Sequence, residues 1–207
     1  MPTTHPPFLT ECCKSKTYVD DSKLYITFPL QQRENVVEDM NKDLTKIRNW
    51  SFDNRLLLNA TRTKLMLFGS RRMIAKIPNF NLSLLGKDLV PTRCARDLGV
   101  IFDDQLTFSD HTVKTVSSCM SSLTQINRAK HAFDKDLLVT IIKSLVFSKM
   151  YYCSSVWSNT SVTNTNKLQA IQNFAARIVT GSRKFHHITP ILKQLHWMPV
   201  QDYLFLS

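Results

Sequence analysis

The hydrophobic period of the chain changes at Ser109, and that change limits the folds open to it. Before it, outside one stretch of helical spacing, the pattern is that of short strands: Leu24, Ile26 and Phe28 alternate with Tyr25 and Thr27. A period of two marks strands with one face buried. Beyond Ser109, the apolar residues Val113, Val116, Met120, Leu123 and Ile126 recur every three or four positions, the spacing of an amphipathic helix. Strands first and helices second predict an α+β fold with segregated layers.

Lys16–Val19 and Lys23–Phe28 are the first predicted strands. Asp20 and Asp21 fall between them, where Asp favours a turn through local hydrogen bonds, so the pair is expected at a hairpin tip. A helix over residues 33–50 follows, with Val36, Val37, Met40, Leu44, Ile47 and Trp50 inward. Its other face carries Arg33, Glu34, Glu38, Lys42, Asp43 and Lys46, and the helix is expected to cover the sheet. A turn at Asn59 leads to a strand around Leu65 and Leu67. Further short strands are expected over Arg71–Ile77, Asn81–Leu85 and Asp88–Val90, the last two joined at Gly86-Lys87, and one more over residues 94–102.

In the helical half, Ser109 or Asp110 is placed to cap the first helix and Asp134 the second. The second buries Leu137, Leu138, Ile141, Ile142, Leu145 and Val146. Ser158–Asn166 is a connection, and a third helix follows with Leu168, Ile171, Ala175, Ile178 and Val179 inward. Gly181 stands where a C-terminal cap belongs, and Thr189-Pro190 opens a short fourth helix that ends before Pro199. Trp50, Trp157 and Trp197 are expected as core anchors.

A content of 43% hydrophobic and 21% charged residues is that of a globular chain. The net charge of +11 is uneven: residues 1–127 contribute +4 and residues 128–207 contribute +7. A basic second half suggests a polyanionic partner, with a solvated basic surface as the alternative. Five cysteines, an odd number with no CxxC, support neither a disulfide framework nor a zinc ribbon. They fit a reducing compartment, hence an intracellular protein, nuclear or cytoplasmic and not secreted. No apolar run reaches the roughly 18 residues that a membrane span needs. The paired carboxylates of Asp20 and Asp21, held at the end of a sheet, suit Mg²⁺, which takes hard oxygen ligands at short distances; a turn with no further role is the bland alternative.

Several segments together resemble the reverse transcriptases of non-LTR, LINE-like retrotransposons of the jockey type. Tyr18-Val19-Asp20-Asp21-Ser22-Lys23-Leu24-Tyr25 is similar to their Y-x-D-D-[ST]-x-L-Y catalytic hairpin. Trp50, Asn54, Leu56, Leu58-Asn59, Thr63, Met66 and Phe68 resemble the next palm motif. Leu98-Gly99-Val100, with Asp103 or Asp104, Leu106-Thr107-Phe108 and His111, resembles the segment joining palm to thumb. Tyr152, Val156-Trp157, Leu168, Gln172, Ala175, Arg177-Ile178 and Leu195-His196-Trp197-Met198-Pro199-Val200 resemble the helical region beyond.

The resemblance implies a partial polymerase palm over residues 1–107, an antiparallel sheet with a covering helix. It implies a helical thumb and post-thumb region over residues 108–207. It implies RNA-directed DNA polymerase activity by descent, with Asp20 and Asp21 as catalytic carboxylates that bind Mg²⁺ or Mn²⁺. The implied partners are an RNA template, a DNA primer and dNTP. Arg62, where the family has lysine, and Lys64 nearby become the candidate phosphate-binding residues. In the thumb, Arg128, Lys130, Lys143, Lys149 and Arg177 become candidates for gripping nucleic acid. The family draws a third metal-binding aspartate from an earlier strand, whereas Glu11 is the sole acidic residue before Asp20 here. Met1 is therefore expected to be an internal methionine, with the fingers and the first half of the palm absent and the isolated chain inactive. A non-catalytic basic nucleic-acid-binding module and a decayed element remnant are the alternative readings.

Overall fold

The computed structural model describes residues 10–19 and 21–206, which divide into two compact units at Ala95/Arg96. The architecture is α+β, with small two-stranded sheets and several helices. In the first unit, β1 (Lys14–Tyr18) and β2 (Asp21–Tyr25) form an antiparallel hairpin in the register Lys14↔Tyr25 to Tyr18↔Asp21. Burial alternates from Leu24 to Phe28 as the period of two requires, although regular pairing stops at Tyr25. Helix α1 (Arg33–Asp53) buries Val36, Met40, Leu44 and Ile47, while Val37 and Trp50 are half-buried. Asp43 departs from the expected outward face: it is 0% exposed.

The turn at Asn59 forms, with Asn59 Oδ1 accepting hydrogen bonds from the Thr61 and Arg62 amides. Two expected strands do not. Around Leu65 there is one parallel bridge to Pro91, because Leu65 is tied by its carbonyl to the Thr92 amide and has no further ladder. Arg71–Ile77 instead starts with a single helical turn, α2 (Arg71–Ile74), capped by the Ser70 side chain. β3 (Leu82–Leu84) and β4 (Lys87–Leu89) make the second hairpin around Leu85-Gly86. The core of this unit gathers Cys13, Val36, Met40, Leu44, Leu65, Phe80, Leu82, Leu84 and Leu89.

Residues 94–102, expected as one strand, contain a bend. β5 (Cys94–Asp97) pairs with β6 (Val100–Asp103) across Leu98-Gly99, both with positive φ. Gly99 has φ +88°, and a Cβ there would lie 2.9 Å from the Tyr152 ring, so both backbone and packing require glycine. Helix α3 (Ser109–Ala129) is capped differently from expectation: neither Ser109 nor Asp110 caps it, and Phe108 at the cap position has φ +56°. The Asp103 carboxylate organises its approach by accepting from the amides of Gln105, Thr107 and Phe108. The buried face of α3 is also rotated. His111, Thr112, Cys119, Leu123 and Ile126 are inside, whereas Val113 and Met120 are exposed.

Asp134 caps α4 (Lys135–Ile142) through the Leu137 amide at 2.8 Å. A π-turn, Lys143–Phe147, joins it to α5 (Ser148–Met150). Leu138, Ile142 and Val146 are buried, but Leu137 and Leu145 face solvent. The Ser158–Asn166 connection is shorter than expected. α6 (Ser154–Trp157) ends at Trp157, and Ser161 caps α7 (Val162–Thr180). All five residues expected inward on α7 are buried, and Gly181 terminates it in the left-handed conformation. α8 (Ile188–Gln194) and α9 (Val200–Phe205) close the bundle over Trp197 and Leu204.

Candidate functional site

The sequence makes the β1–β2 hairpin the candidate metal-binding end. Tyr18 and Asp21 form its closing rung. Val19 has φ +54° and is 90% exposed. A β-branched residue in the left-handed region is a steric outlier, and strain of this kind collects at functional sites. Asp20 lies outside the described residues. The Asp21 side chain is exposed at the last paired position, and no ion pair engages it among the described residues. An exposed carboxylate fixed at a strand end is a hard oxygen donor of the kind Mg²⁺ or Mn²⁺ takes, so the residue fits the ion. Among the described residues no group of three or more His, Cys, Asp or Glu converges as a metal site.

The register also exposes residues that sequence reasoning passed over. Directly opposed residues share a face, so Lys14, Lys16 and Tyr18 lie on the same side as Tyr25, Lys23 and Asp21. Lys16 stands opposite Lys23 in the register. The signal was available: Lys14-Ser15-Lys16-Thr17-Tyr18 carries its lysines at a period of two. Arg62 and Lys64 are exposed. The Arg62 amide is bound to Asn59, and its guanidinium makes no ion pair among the described residues.

The hairpin is gripped at its base by one buried carboxylate. Asp43 Oδ1 accepts from the Glu11 amide at 3.0 Å, and Oδ2 accepts from the Cys12 and Cys13 amides at 3.1 and 2.8 Å. Burial pushes this carboxyl up, but the amides of Glu11, Cys13 and Cys12 and the Cys13 thiol outweigh that and hold it below the usual carboxylate range. Beside it, Cys13 is pushed up to about 12, first by burial and then by Asp43, so it is an inert thiol. Glu11, the sole acidic residue before Asp20, is paired with Lys46 at 2.5 Å.

In the second unit, the five basic candidates have different surroundings. Arg128 is exposed in the last turn of α3 and lines a shallow groove with Val113, Met120 and Lys167. Lys130 is half-buried, while Lys143 and Lys149 are exposed on the π-turn and α5. Lys149 Nζ donates to Ser122 Oγ at 3.3 Å. Arg177 is turned back on its own unit, donating to the carbonyls of Asn173 and Lys184 at 3.4 Å, with its Nε buried and unbonded. The residues of this unit that carry the resemblance are largely structural. Trp157 Nε1 donates to the Tyr152 carbonyl, Tyr152 Oη donates to the Leu98 carbonyl, and Gln172 donates to the Met198 carbonyl. Of Asp103 and Asp104, it is Asp103 that binds Leu106-Thr107-Phe108 in place. His111 is buried, with Nδ1 accepting from the Ile101 amide at 3.4 Å and Nε2 unbonded. Burial, with the Arg96 charge adding to it, holds its pKa below the usual histidine value.

No family model matches the chain, and no solved structure matches it. Among curated proteins it is similar to the "Probable RNA-directed DNA polymerase from transposon X-element" of Drosophila melanogaster, 28% identical over 113 residues. The similarity covers 52% of this chain and 12% of that much longer protein. No helix among the described residues is long and apolar enough to cross a membrane. Coming after a Tyr-x-Asp-Asp hairpin with its acid at the closing rung, the similarity supports a reverse-transcriptase relationship for this chain.

Proposed function

We propose that the chain is a palm and thumb portion of a reverse transcriptase from a jockey-type, non-LTR retrotransposon. The observation that carries this reading is the hairpin that sets Asp21 on its closing rung, in a chain similar to a transposon polymerase. Asp20 and Asp21 hold Mg²⁺ or Mn²⁺ between them. A divalent ion there supplies charge neutralisation for phosphoryl transfer. The chain's own contribution is to set Asp21 at a paired strand end. Lys14, Lys16 and Lys23 on the same face, with Arg62 and Lys64 elsewhere in the unit, attract the phosphates of the RNA template and DNA primer and of dNTP. The palm part corresponds to residues 1–107 and the thumb to residues 108–207. In the thumb, Arg128, Lys130, Lys143 and Lys149 attract the duplex backbone.

The isolated chain binds nucleic acid without extending a primer. Glu11, at the base of the hairpin, is ion-paired with Lys46 on α1. The lysines on the hairpin face favour a second reading, a non-catalytic basic module, for the chain on its own.

Primer extension on an RNA template with Mg²⁺ or Mn²⁺, run beside filter binding across a salt series, tests both. We expect binding that weakens steeply with salt and no extension. Lys16→Ala should lower the salt slope by about one. Extension that Asp20→Ala abolishes would overturn the inactivity. Absence of binding at low salt would overturn the nucleic-acid reading altogether.

A further inference from the structure

The β1–β2 hairpin is a two-stranded ribbon, and such ribbons are marginal in water unless something else holds them. On the β2 side, Leu24, Ile26 and Phe28 pack against the core, with Phe28 stacked on Phe80 at 5.7 Å. On the β1 side the anchors are Cys13, buried in the same core, and the Asp43 carboxylate on α1. Three consecutive amides, those of Glu11, Cys12 and Cys13, converge on that one group, immediately before the first strand residue, Lys14. Successive amides turned to a common point form an anion-binding nest, and here a side chain of the same unit fills it. Lys46 then latches Glu11 from the same helix. From Lys14 to the tip, five residues of strand extend about 17 Å beyond the grip. A small tilt at the base becomes a large displacement at the carboxylates.

We infer that Asp43 is a positioning residue for the metal-binding end of the hairpin. It acts through the backbone of residues 11–13, which fixes the direction in which β1 leaves α1. The inference rests on the reading of Asp20 and Asp21 as ion ligands. Asp43→Asn preserves size but replaces one acceptor oxygen with a donor, which in either orientation faces at least one of the three amides, so the nest cannot be fully satisfied.

Terbium luminescence sensitised by the hairpin tyrosines, Tyr18 and Tyr25, reads ion binding in the full chain. Amide hydrogen exchange reads the grip, with β3 and β4 as the internal reference. We expect Asp21→Asn to abolish the hairpin signal. Asp43→Asn should weaken terbium binding about tenfold, with faster exchange over residues 11–25 and unchanged protection in β3 and β4. If Asp21→Asn removes the signal but Asp43→Asn binds terbium as the wild type does, the positioning role is overturned and the ion site stands. If Asp21→Asn changes nothing, the ion site falls, and the positioning role falls with it. If Asp43→Asn loosens β3 and β4 equally, the carboxylate holds the whole unit rather than aiming the hairpin, and the inference is again overturned.

Discussion

Each of the two units is organised by one carboxylate that gathers backbone amides, yet the two carboxylates support different things. Asp43 receives the amides of residues 11–13, which lead into an exposed ribbon, while Asp103 receives those of Gln105, Thr107 and Phe108, which lead into a long helix with one buried face. Beyond Asp43 lie Tyr18, Val19 and Asp21, all open to solvent. Beyond Asp103 lie Phe108, Leu123, Trp157 and Ile171, all in one core. The same device therefore leads into an exposed ribbon in one unit and closes a scaffold in the other. Residues whose matches to the polymerase family look alike in sequence thus differ in what their loss would do.

The largest test of this contrast compares a scaffold residue with a ribbon residue. Trp157 is 1% exposed, packs against His111 and bonds the Tyr152 carbonyl. Trp157→Ala should destabilise the second unit by about 3–5 kcal/mol in a denaturant titration. Leu24→Ala, at a half-buried ribbon position, should cost about 1 kcal/mol. Equal losses would break the comparison. Next in size is Asp103→Ala, which leaves the amides of Gln105, Thr107 and Phe108 without their acceptor at the entrance to α3. Its expected loss is about 2 kcal/mol from the whole second unit, seen in the same titration.

The units should also separate with pH. The folded state holds His111 below the ordinary histidine pKa of 6.5, whereas the unfolded chain titrates near that value. Below about pH 6.5 the unfolded chain therefore binds the extra proton first, and the second unit loses stability as pH falls through 6.5 towards the folded value. Asp43 is lowered instead from 3.8, so its contribution to the first unit is complete above that pH and is lost only as pH falls below it. Hydrogen exchange resolved by unit between pH 7.5 and 5 should show loosening in residues 96–206 alone. His111→Gln should remove it.

How much of this was legible depended on whether a position announced itself by apolarity. α7 was read correctly because its stripe, from Leu168 to Val179, is purely apolar and Gly181 marks its end. α3 was read correctly at Leu123 and Ile126, with Val116 packed against the core, but wrongly at Val113 and Met120, because His111, Thr112 and Cys119 take the buried positions instead. Asp43 was missed for the same reason. It falls in the spacing set by Val36, Met40 and Ile47, but its charge argued for solvent, and only the three amides explain its burial. The bend at Leu98-Gly99 was hidden because Leu98, Val100, Ile101 and Phe102 read on as strand residues after Cys94–Asp97, with Gly99 the signal of a turn. At the candidate site, the hairpin was legible from period and turn chemistry, but Asp21, expected in the turn, is the first residue of β2 and pairs with Tyr18. The lysine face was not legible, because its meaning depends on a cross-strand register that single residues do not reveal.

The smallest expected effect bears on the hairpin turn itself. Three hairpins in the chain place a non-glycine residue with positive φ first in the turn: Val19 at +54°, Leu85 at +53° and Leu98 at +42°. In the last two, glycine follows and takes the second positive φ; Val19 is instead followed by Asp20. Asn reaches the left-handed region more easily than a β-branched residue and is favoured at the first position of such turns. Val19→Asn should therefore stabilise the β1–β2 hairpin by about 0.5–1 kcal/mol, a part of the usual left-handed penalty, read as slower exchange of the Tyr18 and Asp21 amides. Leu85→Asn should give a similar gain in β3–β4. If Val19→Asn weakens terbium binding while it tightens the hairpin, the strained valine tunes the ion site. If both improve together, the strain has no part in binding, and the two units differ only in what their carboxylates hold.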